Sequence, residues 1–271
     1  MRFRSARPAA NRFDSALRAA AVLTATLAIV AAGTGTSTHA DVASTPAGSS
    51  EPPLAMVTDV SSTVDAFRTA EKRYSANRYD GSAAPGSVAF VDRTAGSRLV
   101  ILAPHAVRHF RAGQPKVPDL YTGGIAEVLG ERLGATVLAT DGKVADWHDN
   151  WADRDDAFSR TLDALPADSV FADLHGMSDA SSSAHIELGL GSAPTPEAED
   201  LGRRIVGVAP DIITDQGPFN ATEAYTDVAH LQGRGRTALQ VEMSLSARDP
   251  DAGNLDRTID ALASGLGGYG R

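Results

Sequence analysis

From position 88 onward the chain alternates short apolar runs of β-type composition with stretches whose apolar residues recur at helical spacing. The runs are 88–91, 99–102, 135–139, 169–176, 185–190 and 237–243, with a short candidate at 212–214. Helical spacing marks 122–133, 156–165, 196–206 and 254–266, and Gly134 and Pro166 stand where two of these must stop. Such alternation constrains the fold to an α/β class, a three-layer arrangement with a mixed, mostly parallel sheet and helices on both faces. Residues 88–91 and 99–102, separated by Thr94-Ala95-Gly96-Ser97, read as a hairpin, and 106–118 as a polar loop. Val64, Phe67, Ala70 and Tyr74 outline one further helix before the first strand.

The first 63 residues do not share this pattern. Arg2, Arg4, Arg7, Arg12 and Arg18 precede an apolar stretch at 19–32, and Thr38-His39-Ala40 ends in a small residue. These are the three parts of a secretory signal, so residues 1–40 are expected to be removed near Ala40 and the protein secreted. The apolar stretch is short of the roughly 20 residues that a stable membrane span needs. Residues 41–63, rich in Ser, Thr, Ala, Pro and Gly, are expected to form a flexible leader, and 64–271 a single domain. The chain has no Cys, which excludes thiolate metal ligands, a Cys nucleophile and disulfides. The net charge of −9 argues against a nucleic-acid partner, because neutralising phosphates needs clustered cations.

Two of the β-type runs end in histidine. His105 follows the run at 99–102, and His175 lies between Asp173 and the break at Gly176. In open α/β sheets ligands bind beyond the carboxyl ends of the strands, so two such ends can assemble one metal site from distant parts of the chain. Alternation places Asp173 on the side of His175, as an orienting acceptor or as a sheet-end residue. Glu242, late in its run and on the side of Gln240, is either a cleft carboxylate or a solvated edge residue. No Gly-x-Ser-x-Gly elbow occurs. His185 and Glu187 read as plain strand alternation.

Four segments carry a resemblance. Ala103-Pro104-His105-Ala106, then 116–124 (Lys-Val-Pro-Asp-Leu-Tyr-Thr-Gly-Gly), then Asp173-Leu174-His175-Gly176, then Ala238-Leu239-Gln240-Val241-Glu242 are similar to the N-formylglutamate amidohydrolase family. The order of these motifs is more specific than any one of them. The resemblance implies a zinc-carboxypeptidase-like fold, a Zn2+ cofactor held by His105 and His175, and Glu242 as the catalytic carboxylate. Zinc carboxypeptidases place a Glu soon after the first His, and Ala106, Val107 and Arg108 cannot serve. The resemblance puts an acid at Asp119, which is taken as the third ligand; its alternative role is an ordinary acid at a helix start. Glu127 is a weaker candidate.

The activity implied is hydrolysis of an N-acyl or peptide-like amide of a small carboxylated substrate. The family's Asn-Arg pair is represented here by Asn150 followed by Trp151. Asn150 is expected to keep a polar contact, while Arg111, Arg108, Lys116 or Arg248 must supply the cation for the substrate carboxylate. Secretion also leaves open a cell-wall or γ-glutamyl peptide amide as substrate, and a non-catalytic binding protein on the same fold.

Overall fold

Residues whose two faces are both covered by helices must be apolar on both faces, and this is how the central strands are built. The structure, a computed structural model, describes residues 60–111, 113–144 and 151–269. The expected signal at 1–40, most of the leader and Asn150 lie outside the described residues. Helix α1 (Val60–Tyr79) precedes strands β1 (Val88–Val91), β2 (Leu99–Ala103), β3 (His109–Arg111) and β4 (Gln114–Lys116). Helix α2 (Thr122–Leu133), strand β5 (Thr136–Thr140), helix α3 (Ala157–Ala164) and strands β6 (Val170–Gly176) and β7 (Ile186–Gly189) follow. The chain continues through α4 (Pro196–Val208), β8 (Ile213–Thr214), α5 (Asp227–Gln232), β9 (Thr237–Met243), α6 (Leu245–Arg248) and α7 (Leu255–Leu266). Among the described residues no helix is long and apolar enough to cross a membrane.

The main sheet has the order β1-β5-β2-β6-β9-β7-β8. Strands β5, β2, β6 and β9 run parallel, β1 pairs antiparallel with β5, β7 antiparallel with β9, and β8 is parallel to β7. The expected mixed, mostly parallel α/β sheet therefore forms, and side chains alternate across it. Leu99, Ile101, Ala172, Leu174, Leu239 and Val241 pack with Phe67, Ile125, Leu201 and Ile259 of α1, α2, α4 and α7. Val100, Leu102, Phe171 and Ala238 pack with Phe158, Leu162, Val228 and Leu231 of α3 and α5 on the opposite face.

Three expectations about local structure are corrected. The runs at 88–91 and 99–102 do not form a hairpin, because β5 lies between them and pairs with both. A wholly buried β2 takes two parallel neighbours, whereas β1, with Phe90 and Val91 exposed, suits an edge. The loop at 106–118 contains the small ribbon β3–β4. Helix α1 starts at Val60, inside the segment expected to be leader.

Candidate active site

Alternation decides which side chains reach the site. Val241 and Met243 point into the α1/α2 face of the core, so Gln240 and Glu242 point to the other, and the same holds for Asp173 and His175 on β6. The β6–β9 register sets Asp173 beside Gln240 and His175 beside Glu242, and the β7–β9 register sets Glu187 beside Glu242. A polar row thus crosses three strands at the carboxyl ends of the parallel core. The segment 217–226 approaches this row closely at Gly217, where a Cβ would fall about 2.0 Å from Glu187 Cδ. Glu187, 1% exposed, accepts a hydrogen bond from the Phe219 N–H at 3.3 Å.

Beyond the strand ends lies a cavity of about 460 Å3. His105, Asp119, His175 and Glu242 all line it, as do Arg111 and Asp227. His105 arrives on the turn after β2. Asp119 is drawn to that turn by its own N–H, which donates to the His105 carbonyl at 2.8 Å. Its carboxylate meets His175 Nδ1 at 3.3 Å, while Asp173 Oδ2 meets His175 Nε2 at 3.0 Å. The rings of His105 and His175 stand edge to face with centroids 5.1 Å apart, and His109 stacks on His105 at 4.3 Å. Arg111 Nη2 lies 3.4 Å from His105 Nε2.

The carboxylate that meets the first turn of α2 is Glu71 of α1, which accepts from the Gly124 N–H at 2.9 Å. The ordinary helix-start role considered for Asp119 is filled by that residue, leaving the Asp119 side chain turned to His175. Glu127 is elsewhere, bound to the Tyr74 hydroxyl at 2.9 Å and near Arg73 at 3.3 Å.

Charge separates these groups into distinct states. Burial, with His109 and His175 nearby, pushes His105 well below the usual imidazole range, so it is neutral. Burial alone would do the same to His175, yet Asp173 and Asp119 on its two nitrogens hold its pKa well above that range. Burial raises Glu242 to about 7, against the lowering influence of His175. Gln240 Nε2 donates to Glu242 Oε1 at 2.9 Å and fixes the carboxylate in the cleft. Glu242 is therefore neither solvated nor at a sheet edge, being 8% exposed on an interior strand.

The expected substrate cations divide sharply. Arg111 lines the cavity and, among the described residues, its buried Nε has no hydrogen-bond partner. Arg108 is exposed, with Asp80 4.0 Å away, and Lys116 is exposed on β4; neither is among the residues lining the cavity. Arg248 is not among the residues lining the cavity. Its guanidinium donates to the carbonyls of Leu120, Met177 and Met243 at 2.6–2.9 Å, so its hydrogen bonds go to backbone. It packs so tightly under Gly176 that a Cβ there would lie 2.7 Å from the guanidinium.

Asp227 is a cavity residue that sequence reasoning missed. It opens the short helix α5 and is 4% exposed. Arg154 lies 3.4 Å from its Oδ1, while Oδ2 has no hydrogen-bond partner among the described residues. Burial and the charge of Asp173 raise its pKa to about 7. A single Asp after a Thr in a loop reads as a helix start, and nothing in its spacing announces a cavity wall.

The chain matches no family model, and no curated protein matches it. Among solved structures it is similar to the N-formylglutamate amidohydrolase of Ralstonia eutropha JMP134, with 14% identity and a TM-score of 0.44 over 67% of this chain and 96% of that one. It is also similar to a gene product of Agrobacterium tumefaciens, with 12% identity and a TM-score of 0.38 over 65% and 90%. A metallo-carboxypeptidase from Burkholderia cenocepacia aligns with 13% identity and a TM-score of 0.39 over 74% and 65%. The chemistry of the site rests on its own residues.

Those residues pass a test of donor type. Two imidazoles and a carboxylate form the set that holds catalytic zinc while leaving a position open. His175 Nδ1 and Asp119 Oδ2, two of the donors that would hold the ion, are 3.3 Å apart and paired with each other. Among the described residues, no three His, Asp or Glu side chains are grouped closely enough to hold a metal ion as they stand. His105 Nε2 faces Arg111 and His175 faces two carboxylates, so Arg111 must turn aside and His175 Nδ1 must lose its proton for the three to share an ion.

Proposed function

We propose that this cavity is the active site of a secreted, zinc-dependent amidohydrolase that cleaves an N-acyl or peptide-like amide of a small carboxylated substrate. The carrying observation is the meeting of His105, Asp119, His175, Glu242 and Arg111 around one cavity at the ends of parallel strands. The basic, apolar and small-residue pattern of positions 1–40 supports secretion. The net charge of −9 supports a small-molecule substrate over a nucleic acid.

His105, His175 and Asp119 are the residues that would hold zinc. When bound, the metal supplies Lewis-acid polarisation of the amide carbonyl and acidifies water near neutral pH. His105 is prepared for this by burial, which keeps its imidazole neutral. Asp173 accepts from His175 Nε2, which fixes the ring and the tautomer that presents Nδ1 to the ion. Glu242 takes a proton from water and returns it to the departing amine, a transfer suited to a carboxylate held up at about 7. Gln240 keeps its oxygen in place during both transfers. Arg111 offers a guanidinium fork to the substrate carboxylate.

The test is a panel of N-acyl amino acids and muropeptides assayed with zinc-replete protein. Glu242→Gln is expected to retain its metal and to lower turnover by about 10²–10⁴-fold on whichever member is cleaved. Turnover unchanged in that variant would remove Glu242 from the mechanism.

A further inference from the structure

A carboxylate buried in a cavity wall needs donors for both oxygens, because desolvation is offset only by hydrogen bonds or charge. Asp227 is 4% exposed and lines the cavity, and no described residue donates to its Oδ2. Its nearest cation does not match it. Arg154 is gripped in two places by Asp156, through Nε at 3.0 Å and Nη2 at 3.4 Å, and reaches Asp227 only by Nη1 at 3.4 Å. Among the described residues, one guanidinium thus stands against two carboxylates. Asp173, also fully buried, adds its negative charge to the surroundings of Asp227, more than the opposing charge of His175 removes. Glu223 lines the same cavity, and among the described lining residues the guanidinium is that of Arg111 alone.

We infer that the substrate carries an ammonium group as well as a carboxylate, and that Asp227 is the residue that receives it. An ammonium answers both deficits of this wall, since it brings N–H donors to Oδ2 and a positive charge to a surplus of negative ones. A neutral amide or hydroxyl would answer only the first. Arg111 and Asp227 then bind groups of opposite sign in one cavity, which selects amino-bearing acids such as short peptides or acylated diamino acids over simple acyl amino acids. Asp227 is a binding residue here, and Glu242 keeps the proton transfer. This inference rests on the hydrolase reading for its substrate but not for its test.

The test is binding to the full chain without added metal, by titration calorimetry. The probes are γ-aminobutyrate, δ-aminovalerate and ε-aminocaproate, each against the plain acid of equal length: butyrate, valerate and caproate. At least one amino acid of the series is expected to bind about tenfold or more tightly than its partner, as a charge-assisted hydrogen bond to a desolvated carboxylate implies. Asp227→Asn is expected to bring that ratio to about twofold or less while leaving the plain acids unchanged. Equal binding of the two series by the wild type, or failure of both to bind at millimolar concentration, overturns the inference and leaves Oδ2 to water. A preference that survives in Asp227→Asn overturns it as well. Should that variant not fold, the wild-type comparison decides alone. Loss of turnover in Glu242→Gln, measured separately, keeps the hydrolase reading standing even where this binding test fails.

Discussion

His175 sits between two carboxylates, Asp173 on Nε2 and Asp119 on Nδ1, and this arrangement ranks the site residues by what they can exchange. Asp173 is wholly buried and has no access to substrate, so its contribution passes through the imidazole. Asp173→Asn is predicted to weaken zinc binding by about 10–100-fold, the usual effect of losing an acceptor behind a ligating histidine. Competition with a chromophoric chelator measures this, and an unchanged affinity would make Asp173 a purely structural acid. Alternation along β6 was enough to predict that Asp173 and His175 share a side. The path to Asp119 was not legible, because it depends on a hydrogen bond from its N–H to the His105 carbonyl. Asp227 was equally hidden, since its burial comes with the packing of the short helix α5 on the sheet.

At the scale of elements, Arg248 shows why cations near a site are hard to assign from sequence. Position 248 follows Glu242 closely, yet helix α6 turns the guanidinium onto three carbonyls beneath Gly176. It ties the ends of β6 and β9, which carry His175 and Glu242, to Leu120, the residue that follows Asp119. Arg248→Ala takes a charged donor from all three carbonyls, of which that of Met243 keeps the Met177 N–H, and is predicted to cost about 2–5 kcal/mol of stability. Urea denaturation reads this directly; a loss under about 0.5 kcal/mol would contradict the structural role. The central strands were readable because burial on both faces demands continuous apolar runs. The pairing of β1 was not, since sequence proximity favoured a hairpin with β2 and the sheet instead inserted β5 between them.

For the whole molecule, buried acids set how stability follows pH. Burial raises Glu71 from 4.5 to about 7, so the folded state keeps a proton that the unfolded chain has lost over that interval. Its stabilising contribution is complete below the unfolded value and is lost as pH rises through about 7. Glu71→Gln keeps an acceptor for the Gly124 N–H and removes the titration. The stability of this variant relative to wild type is predicted to increase by on the order of 2–3 kcal/mol between about pH 5 and about pH 8. Parallel denaturation curves at the two pH values check this, and a difference independent of pH would show that Glu71 titrates normally. Glu242 and Asp227 are raised in the same sense. His109, lowered to about 4 by burial, acts in the opposite sense between that value and 6.5, so single variants separate the contributions better than the wild-type curve.

The central claim, that His105, Asp119 and His175 hold a catalytic zinc, is tested most directly by the metal content of the purified chain. Inductively coupled plasma mass spectrometry on the wild type, His105→Ala and His175→Ala, each dialysed after zinc loading, gives the number of ions per chain. The account predicts about one zinc in the wild type, as a site of three protein ligands requires, and its loss in both variants. A folded wild type that holds no zinc after loading, or variants that retain it in full, would contradict the account.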